Sequence, residues 1–241
     1  MSTRSGRRDC SASSNPRSVA NSPSVHPDPA LSQTDHTRRA YARHARLYDA
    51  MEWPVEQLVY RRWRRSLWQD VEGPDVLEVG VGTGKNVPYY PAEVCVTGVD
   101  LSEGMLAQAR RSLQRHPAAA AVLHLMDAEH LTFPDDAFDE AVATFVFCSV
   151  PDPVAGLREA LRVTKPGGRL RLLEHQRADV ESLGRVMDRL DGPLHRLTGV
   201  HVARRTVENV RDAGWRLDHV ERLAPFGVFR RIDAHNPLTA N

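Results

Sequence analysis

The sequence predicts an α/β fold with a parallel sheet that is covered by helices on both faces. From Val76 onward, short apolar segments alternate with segments of helical periodicity, which indicates repeated strand–helix–strand units. The strand segments are largely apolar, as expected of parallel strands that are buried on both faces. Because ligands of such sheets bind at the carboxyl ends of the strands, we expect a functional site at that edge.

The predicted elements follow one another in a regular order. Strands are predicted at Val76–Val79, Val94–Val99, Val122–Met126, Glu140–Phe147 and Arg169–Glu174. Helices are predicted between them at Lys85–Tyr90, Gly104–Arg115 and Val154–Val163. The rest of the chain is predicted to form a helical stretch, a helix and a closing strand pair, at Asp179–Leu190, Thr206–Ala213, Trp215–Leu223 and Phe226–Ile232.

Size and charge fit one globular domain. The chain has 241 residues and a formal net charge of +1, so no overall field is expected to attract nucleic acid. Cys10, Cys95 and Cys148 lie far apart without CxxC spacing, so we expect neither a disulfide framework nor a metal site, and a cytoplasmic location. No apolar run reaches the roughly 18 residues that span a bilayer, so we expect a soluble protein.

The N-terminal part divides into a tail and a helical region. Residues 1–33 are rich in Ser, Arg and Pro and are predicted to be disordered. Residues 34–241 are assigned to one domain, in which residues 34–70 are expected to form a helical cap over the site.

A basic amphipathic helix is predicted within this cap. Val59, Trp63 and Leu67 are spaced four apart, while arginines occupy the other faces of the helix. Two interpretations remain. Residues 55–68 contact a membrane surface, or the helix packs on the domain with its arginines in water.

Glycines occupy every second position after the first predicted strand. The segment reads Glu78-Val79-Gly80-Val81-Gly82-Thr83-Gly84. Glycine lets the backbone approach a ligand closely because no Cβ stands in the way. A dinucleotide fingerprint has the spacing G-x-G-x-x-G and would place a glycine where Lys85 stands. The segment therefore indicates a ligand-binding loop and disfavours NAD.

Acidic residues follow the next two predicted strands as well. Asp100 ends the second strand, where a carboxylate can accept hydrogen bonds from both hydroxyls of a ribose. Asp127 and Glu129 follow the third strand and are expected at the same edge of the sheet. We expect an adenine ring to lie there, over Leu101 and Met105.

This ordered series of motifs resembles the class I S-adenosylmethionine-dependent methyltransferases, in particular the ubiquinone/menaquinone-biosynthesis group. The motifs that carry the resemblance are Tyr41–Asp49, Glu78–Gly84, Gly98–Leu106, Asp127–Glu129, Phe133–Asp135, Phe138-Asp139 and Leu161–Gly168. The segments Phe145–Val150 and Leu172–His175 are also similar to animal thiol methyltransferases and their bacterial relatives. The early tyrosine element is similar to one in bacterial lipid-headgroup N-methyltransferases.

The resemblance implies a Rossmann-like, doubly wound sheet of seven strands whose last strand is antiparallel. It implies S-adenosyl-L-methionine as the cofactor, with the glycines under its methionine part, Asp100 at the ribose, and Asp127 with Ala128 at the adenine. Two early tyrosines are expected to close over it. The residues assigned to the cofactor are Tyr41, Tyr48, Glu78, Gly80, Gly82, Gly84, Asp100, Leu101, Met105, Asp127, Ala128, Glu129 and Phe145.

Methyl transfer from a sulfonium chiefly requires alignment of a nucleophile with the methyl carbon, without a metal. A base helps where the nucleophile is a phenol, thiol or amine. His175 is the candidate base because it follows the fifth predicted strand, the alternative being a structural histidine. Cys148 is interpreted as an apolar wall residue.

The methyl acceptor is expected to be a small molecule or a lipid, methylated on O, N, S or C. An insert at residues 176–202 and the N-terminal helices are expected to select it. His195 and His201 lie in this insert and are expected to be exposed, the alternative being that they reach the site.

Two other functions compete with this interpretation. An NAD-dependent oxidoreductase predicts a different third glycine and a separate substrate domain. A catalytically silent S-adenosylmethionine-binding module would be free to lose its acids, yet Glu78, Asp100 and Asp127 are present.

Overall fold

The computed structural model describes Cys10, residues 59–198 and residues 200–237. The expectations for the N-terminal tail, and for the cap before residue 59, concern residues outside this part of the chain. None of the described helices is both long enough and apolar enough to cross a membrane.

The core is a seven-stranded sheet. Its strands are β1 (Asp75–Val79), β2 (Cys95–Asp100), β3 (Ala120–Leu125), β4 (Phe138–Thr144), β5 (Thr164–His175), β6 (Arg216–Arg222) and β7 (Phe229–His235). They lie in the order β3-β2-β1-β4-β5-β7-β6. β7 is antiparallel to β5 and β6, and the other neighbouring strands are parallel. The predicted Rossmann-like sheet with an antiparallel last strand is therefore confirmed.

Helices cover both faces of this sheet, as predicted. The helices of the described chain are α1 (Arg61–Gln69), α2 (Glu103–Arg115), α3 (Pro153–Val163), α4 (Glu181–Thr198) and α5 (Thr206–Asp212). On one face, Leu77 of β1 packs in a core with side chains of α3 and α5. On the opposite face, Val76 packs with Leu67 and Trp68 of α1. Neighbouring residues of one strand thus enter two apolar layers, which explains the largely apolar strand sequences.

Two predicted elements are shorter than expected. The segment predicted as the helix Lys85–Tyr90 forms only a 3-10 turn at Val87–Tyr89. Tyr90 is extended, with ψ 126°, because the ring of the following Pro91 excludes the helical conformation. The fourth strand ends at Thr144, not at Phe147, because Phe145 adopts a positive φ of 60°.

Two later segments also differ from expectation. α4 continues to Thr198 with Pro193 inside it, so the predicted end at Leu190 was wrong. β7 begins at Phe229, three residues later than predicted, because Pro225–Gly227 form a 3-10 turn first.

The cysteines depart from the expectation too. Cys10 and Cys95 form a disulfide, with Cα atoms 5.5 Å apart. We expected no disulfide framework and did not anticipate this pair, because chain spacing does not show which residues the fold brings together. Cys148 is a buried thiol.

Candidate functional site

A cleft opens at the carboxyl ends of β1, β2 and β4. β1 is the point where the strand order turns from β3-β2-β1 to β4-β5, and such switch points are the usual ligand sites of α/β sheets. The cleft is lined by Arg64, Val79–Thr83, Lys85, Val99–Ser102, Met105, Met126–Ala128, Thr144–Val146 and Ser149–Pro151. It therefore gathers the ends of separate strands, as the sequence predicted.

The glycines of the loop after β1 serve different purposes. A Cβ on Gly80 would lie 2.4 Å from Cγ2 of Val146, so this position has no room for a side chain. Gly82 has a φ of +57°, and a Cβ there would meet no atom within 4 Å. Gly84 does not line the cleft, since its Cβ would lie 2.9 Å from Cα of Ala109 in α2. The loop therefore combines close packing with one glycine that borders open space.

Asp100 is the last residue of β2 and lines the cleft. Its Oδ2 accepts a hydrogen bond from N of Gly82 at 2.8 Å, and its Oδ1 accepts one from N of Ser102 at 2.9 Å. Burial raises the pKa of Asp100, while the two backbone donors lower it. Each carboxylate oxygen has a further lone pair, so the side chain can still accept hydrogen bonds from a ligand.

The β3 end of the cleft is mainly apolar. Leu101, Met105 and Ala128 line it, together with Asp127. Glu129 does not line it: Oε1 of Glu129 accepts a hydrogen bond from N of Asp152, the residue that caps α3. Glu129 therefore stabilises the N-terminus of α3 and does not form part of the cleft, although it follows a strand as Asp100 and Asp127 do.

Glu78 lies beneath the glycine loop, buried and outside the cleft wall. Its Oε1 accepts from Nδ2 of Asn86 at 2.6 Å, and its Oε2 accepts from the hydroxyl of Tyr90. Burial raises the pKa of Glu78 to about 7, although these hydrogen bonds and nearby Arg64 lower it. The geometry gives this acid a role in supporting the loop.

Arg64 is a cleft residue that the sequence did not single out. The arginines of this helix were expected to face either a membrane surface or water, but Arg64 is only 5% exposed, whereas Arg61, Arg62 and Arg65 are exposed. Its Nη1 donates to Oδ1 of Asn86 at 2.9 Å and to Oγ1 of Thr144 at 2.5 Å. The spacing could have indicated the burial of Arg64, because Arg64, Leu67 and Trp68 share one helix face.

Aromatic rings pack together beside one end of the cleft. Phe145 lines the cleft and packs against Tyr60 and Phe229, with ring centroids 4.8 and 6.0 Å apart. Trp63 contacts Tyr60 and Phe229, each at 5.5 Å. We call these four side chains the aromatic cluster. All of them are half-buried, so the cluster forms a partly open apolar surface beside the cleft.

His175 lies against this cluster and does not line the cleft itself. Its ring centroid is 5.2 Å from that of Phe229. Burial lowers the pKa of His175, and the nearby Asp191 raises it. A histidine with a lowered pKa is neutral at physiological pH and can accept a proton.

The two insert histidines are half-buried, so the expectation that they are exposed was wrong. His195 and His201 stack with ring centroids 3.8 Å apart. Nδ1 of His201 lies 2.7 Å from Oδ2 of Asp191, and its backbone N donates to the carbonyl of Cys148. These contacts attach the insert to the segment after β4. Tyr41 and Tyr48 lie outside the described residues, so their roles stay predictions.

Comparisons with known proteins agree with this geometry. Residues 77–172 match the family described as a methyltransferase domain. The chain is 37% identical over 155 residues to a phosphatidylethanolamine N-methyltransferase of Cereibacter sphaeroides, covering 64% of this chain and 75% of that one. It is 38% identical over 135 residues to a ubiquinone/menaquinone biosynthesis C-methyltransferase of Geobacter sulfurreducens, covering 53% of each. The match thus spans about half the length of this quinone-pathway relative.

Solved structures share the fold. A methyltransferase of Thermotoga maritima, described as a possible histamine N-methyltransferase, superposes with a TM-score of 0.62 at 23% identity, covering 82% of this chain and 99% of that one. A [4+2]-cyclase superposes with a TM-score of 0.61 at 21% identity, covering 75% and 81%. One fold thus carries different reactions, and at these identities the likeness concerns the fold alone.

The glycine loop, the acid at the end of β2 and the strand order are the features expected of a nucleotide-type site at a sheet switch point. Together with the sequence matches, they identify the class of protein. The chain belongs to the family of S-adenosylmethionine-dependent methyltransferases, is an enzyme of that class and uses S-adenosylmethionine.

Proposed function

We propose that this methyltransferase acts on a planar, largely apolar acceptor with an ionisable hydroxyl, such as a hydroquinone or a phenol. The observation that carries the proposal is the aromatic cluster, which continues from the cleft through Phe145. Faces of aromatic side chains bind flat rings by offset or edge contacts. A relative named as a quinone-pathway C-methyltransferase agrees with this acceptor class.

We propose that the cofactor lies along the cleft. We propose that Leu101, Met105 and Ala128 contact the adenine, that Asp100 accepts hydrogen bonds from the ribose, and that the loop of Gly80 and Gly82 lies under the methionine part. Space around Gly82 and the apolar lining near Ala128 support this placement. When bound, S-adenosylmethionine supplies a methyl group on a positively charged sulfur.

The two ends of the cleft give the acceptor a direction of approach. The β3 end holds the apolar lining proposed for the adenine, while Thr144, Phe145 and Arg64 line the β4 end. With the adenine at the β3 end, the methionine part would lie toward β4, and we propose that the acceptor approaches from the aromatic cluster. Alignment of the two reacting atoms is the main contribution that a protein makes to such a displacement.

Charge at the aromatic cluster favours a neutral or anionic acceptor. The guanidinium carbon of Arg64 lies 5.1 Å from the ring centroid of Phe145, so one face of this ring already contacts a cation. An ammonium acceptor would meet this like charge, whereas a hydroxyl that becomes a phenolate would be stabilised by it. This contrast supports a phenolic acceptor over a protonated amine.

His175 is the proposed proton acceptor. Its contact with Phe229 places the imidazole beside the cluster, and its lowered pKa leaves it neutral. His175 would accept the proton of the acceptor's hydroxyl when the bound cofactor supplies its methyl group.

A lipid acceptor is the second candidate, because one relative is named as a phosphatidylethanolamine N-methyltransferase. The exposed side of α1 carries Arg61, Arg62 and Arg65, which supports a proposed contact with an anionic membrane surface. A hydrophobic quinol would also reach the enzyme from a membrane, so membrane contact alone does not favour a lipid acceptor. The test therefore compares the two acceptors directly.

The test is turnover with S-adenosylmethionine labelled in its methyl group. The acceptor panel is reduced 1,4-naphthoquinone, catechol, a small aryl thiol, and phosphatidylethanolamine in vesicles. We expect labelled product from the naphthoquinol, and a loss of this product in Phe229→Leu but not in Phe226→Leu, an exposed phenylalanine in the turn before β7. Label in phosphatidylethanolamine alone would overturn the phenolic acceptor and support the second candidate.

A further inference from the structure

A buried carboxylate of β5 holds the turn that follows β4. We infer that Glu174 is a positioning residue of this enzyme: it holds residues 145–148 in the conformation that presents Phe145 and Val146 to the cofactor cleft. The inference depends on the cofactor and not on which acceptor is methylated.

The turn needs such support because of its backbone conformation. Phe145 has a φ of 60°, in the left-handed region that bulky residues disfavour. A strained residue persists only where its surroundings determine its conformation, and such residues concentrate at functional sites. The N–H of Phe145 donates to the carbonyl of Leu173 at 2.8 Å, which joins the start of the turn to β5.

Glu174 supplies the remaining contacts. The residue is fully buried, with 0% exposure. Its Oε1 accepts hydrogen bonds from N of Val146 at 2.9 Å and from N of Phe147 at 3.1 Å. The N–H of Cys148 also acts to lower the pKa of this carboxyl, against the effect of burial. Successive N–H groups after a left-handed residue form a concave site for an acceptor oxygen, and here Oε1 of Glu174 occupies that site.

The turn at residues 145–148 also shapes the cleft. Val146 packs so tightly against the glycine loop that a Cβ on Gly80 would lie 2.4 Å from it. Phe145 borders the cleft on one side and contacts Tyr60 and Phe229 of the aromatic cluster on the other. A shift of this turn would therefore move a wall of the cofactor site and a wall of the proposed acceptor surface together.

The chain offers a matched control at the opposite end of the sheet. Glu140 of β4 is also buried, at 3% exposure, and its Oε1 accepts from N of Glu72 at 2.8 Å and N of Gly73 at 2.9 Å. It does not line the cleft. Glu140 also pairs with the buried Arg171 through Oε2, so Glu140→Gln reports what the loss of a buried carboxylate and of its ion pair does to stability away from the cleft.

The experiment compares Glu174→Gln, Glu174→Ala and Glu140→Gln in the full-length chain. Calorimetry measures the affinity for S-adenosylhomocysteine, and fluorine NMR with 4-fluorophenylalanine reports on Phe145, whose signal is assigned from Phe145→Leu. We expect Glu174→Gln to weaken binding about tenfold and to shift the Phe145 signal. We expect Glu140→Gln to lower the melting temperature without either effect.

Unchanged affinity and an unmoved Phe145 signal in Glu174→Gln would overturn the inference, even if the variant were less stable. Because glutamine is isosteric with glutamate, this variant decides the question should Glu174→Ala fail to fold. Wild-type protein that bound no S-adenosylhomocysteine would contradict the cofactor site itself. Wild-type binding without turnover of naphthoquinol would contradict only the proposed acceptor.

Discussion

The guanidinium of Arg64 lies over the ring of Phe145, 5.1 Å from its centroid, and the same guanidinium donates to the hydroxyl of Thr144. α1 is thereby connected to the end of β4 at the point where the cleft meets the aromatic cluster. Because Arg64 is buried, the positive charge is weakly screened by water.

Replacement of Arg64 is expected to damage both stability and binding. Arg64→Ala leaves Oδ1 of the buried Asn86 without its donor and removes one of the two donors to Oγ1 of Thr144, so we expect a loss of about 1–3 kcal/mol in the free energy of unfolding. Affinity for S-adenosylhomocysteine should fall about tenfold. Arg64→Lys keeps the charge without the planar fork and should be intermediate. Urea unfolding and calorimetry measure the two effects, with exposed Arg65→Ala as the control. Equal affinity in all variants would contradict a role for Arg64 in the site.

Two acids at the same sheet edge are expected to behave differently. Asp100→Ala should weaken S-adenosylhomocysteine binding by about 1.5–3 kcal/mol, the range for hydrogen bonds to a charged group. Glu129→Ala removes the acceptor for N of Asp152 and should lower the melting temperature while leaving the affinity within about twofold. Calorimetry of both variants is decisive, because the opposite order would mean that Glu129 and not Asp100 contacts the ligand.

The loop glycines allow a similar comparison. Gly82→Ala places a methyl group in open space at a positive φ, so we expect a stability loss of only about 1 kcal/mol together with weaker cofactor binding. Gly80→Ala forces a Cβ against Val146 and should destabilise the protein more strongly. Thermal unfolding with and without S-adenosylhomocysteine measures both effects. Stabilisation of Gly82→Ala by the ligand to the wild-type extent would show that this edge of the loop does not face the cofactor.

The raised pKa values of two buried carboxyl groups determine how the free energy of unfolding should depend on pH. Burial raises the pKa of Glu78 and of Glu174 from 4.5 to about 7 in the folded protein. Between pH 4.5 and about 7 the folded state therefore binds more protons than the unfolded state, so stability should fall as the pH rises through this window. Glu78→Gln should flatten this decline by roughly 1–3 kcal/mol.

Urea unfolding at a series of pH values between 5 and 8 checks this prediction. Glu103→Gln, a substitution of the same kind on the exposed surface of α2, serves as the control. A decline in Glu78→Gln as steep as in the wild type would show that Glu78 is ionised throughout this range.

Much of the fold follows from local sequence. Apolar strands such as Val76–Val79, and the acids and glycines at their ends, predict a sheet with its site at the carboxyl edge, because strand direction brings those ends together. Element ends were less predictable. Phe145 looks like a continuation of β4, but its positive φ ends the strand before it, next to the N–H groups that bind Glu174.

By itself, the sequence determined the class of fold, the cofactor and the glycine loop, since each depends on residues that are close together in the chain or repeat with the strands. Only the tertiary structure decided that Arg64 is a cleft residue, that Glu78 and Glu129 support the site from outside it, and that Phe229 joins Tyr60 in one cluster. The physical reason is that burial and hydrogen-bond partners depend on which distant segments meet. An arginine on a helix looks the same in the sequence whether its side chain faces water or a cleft.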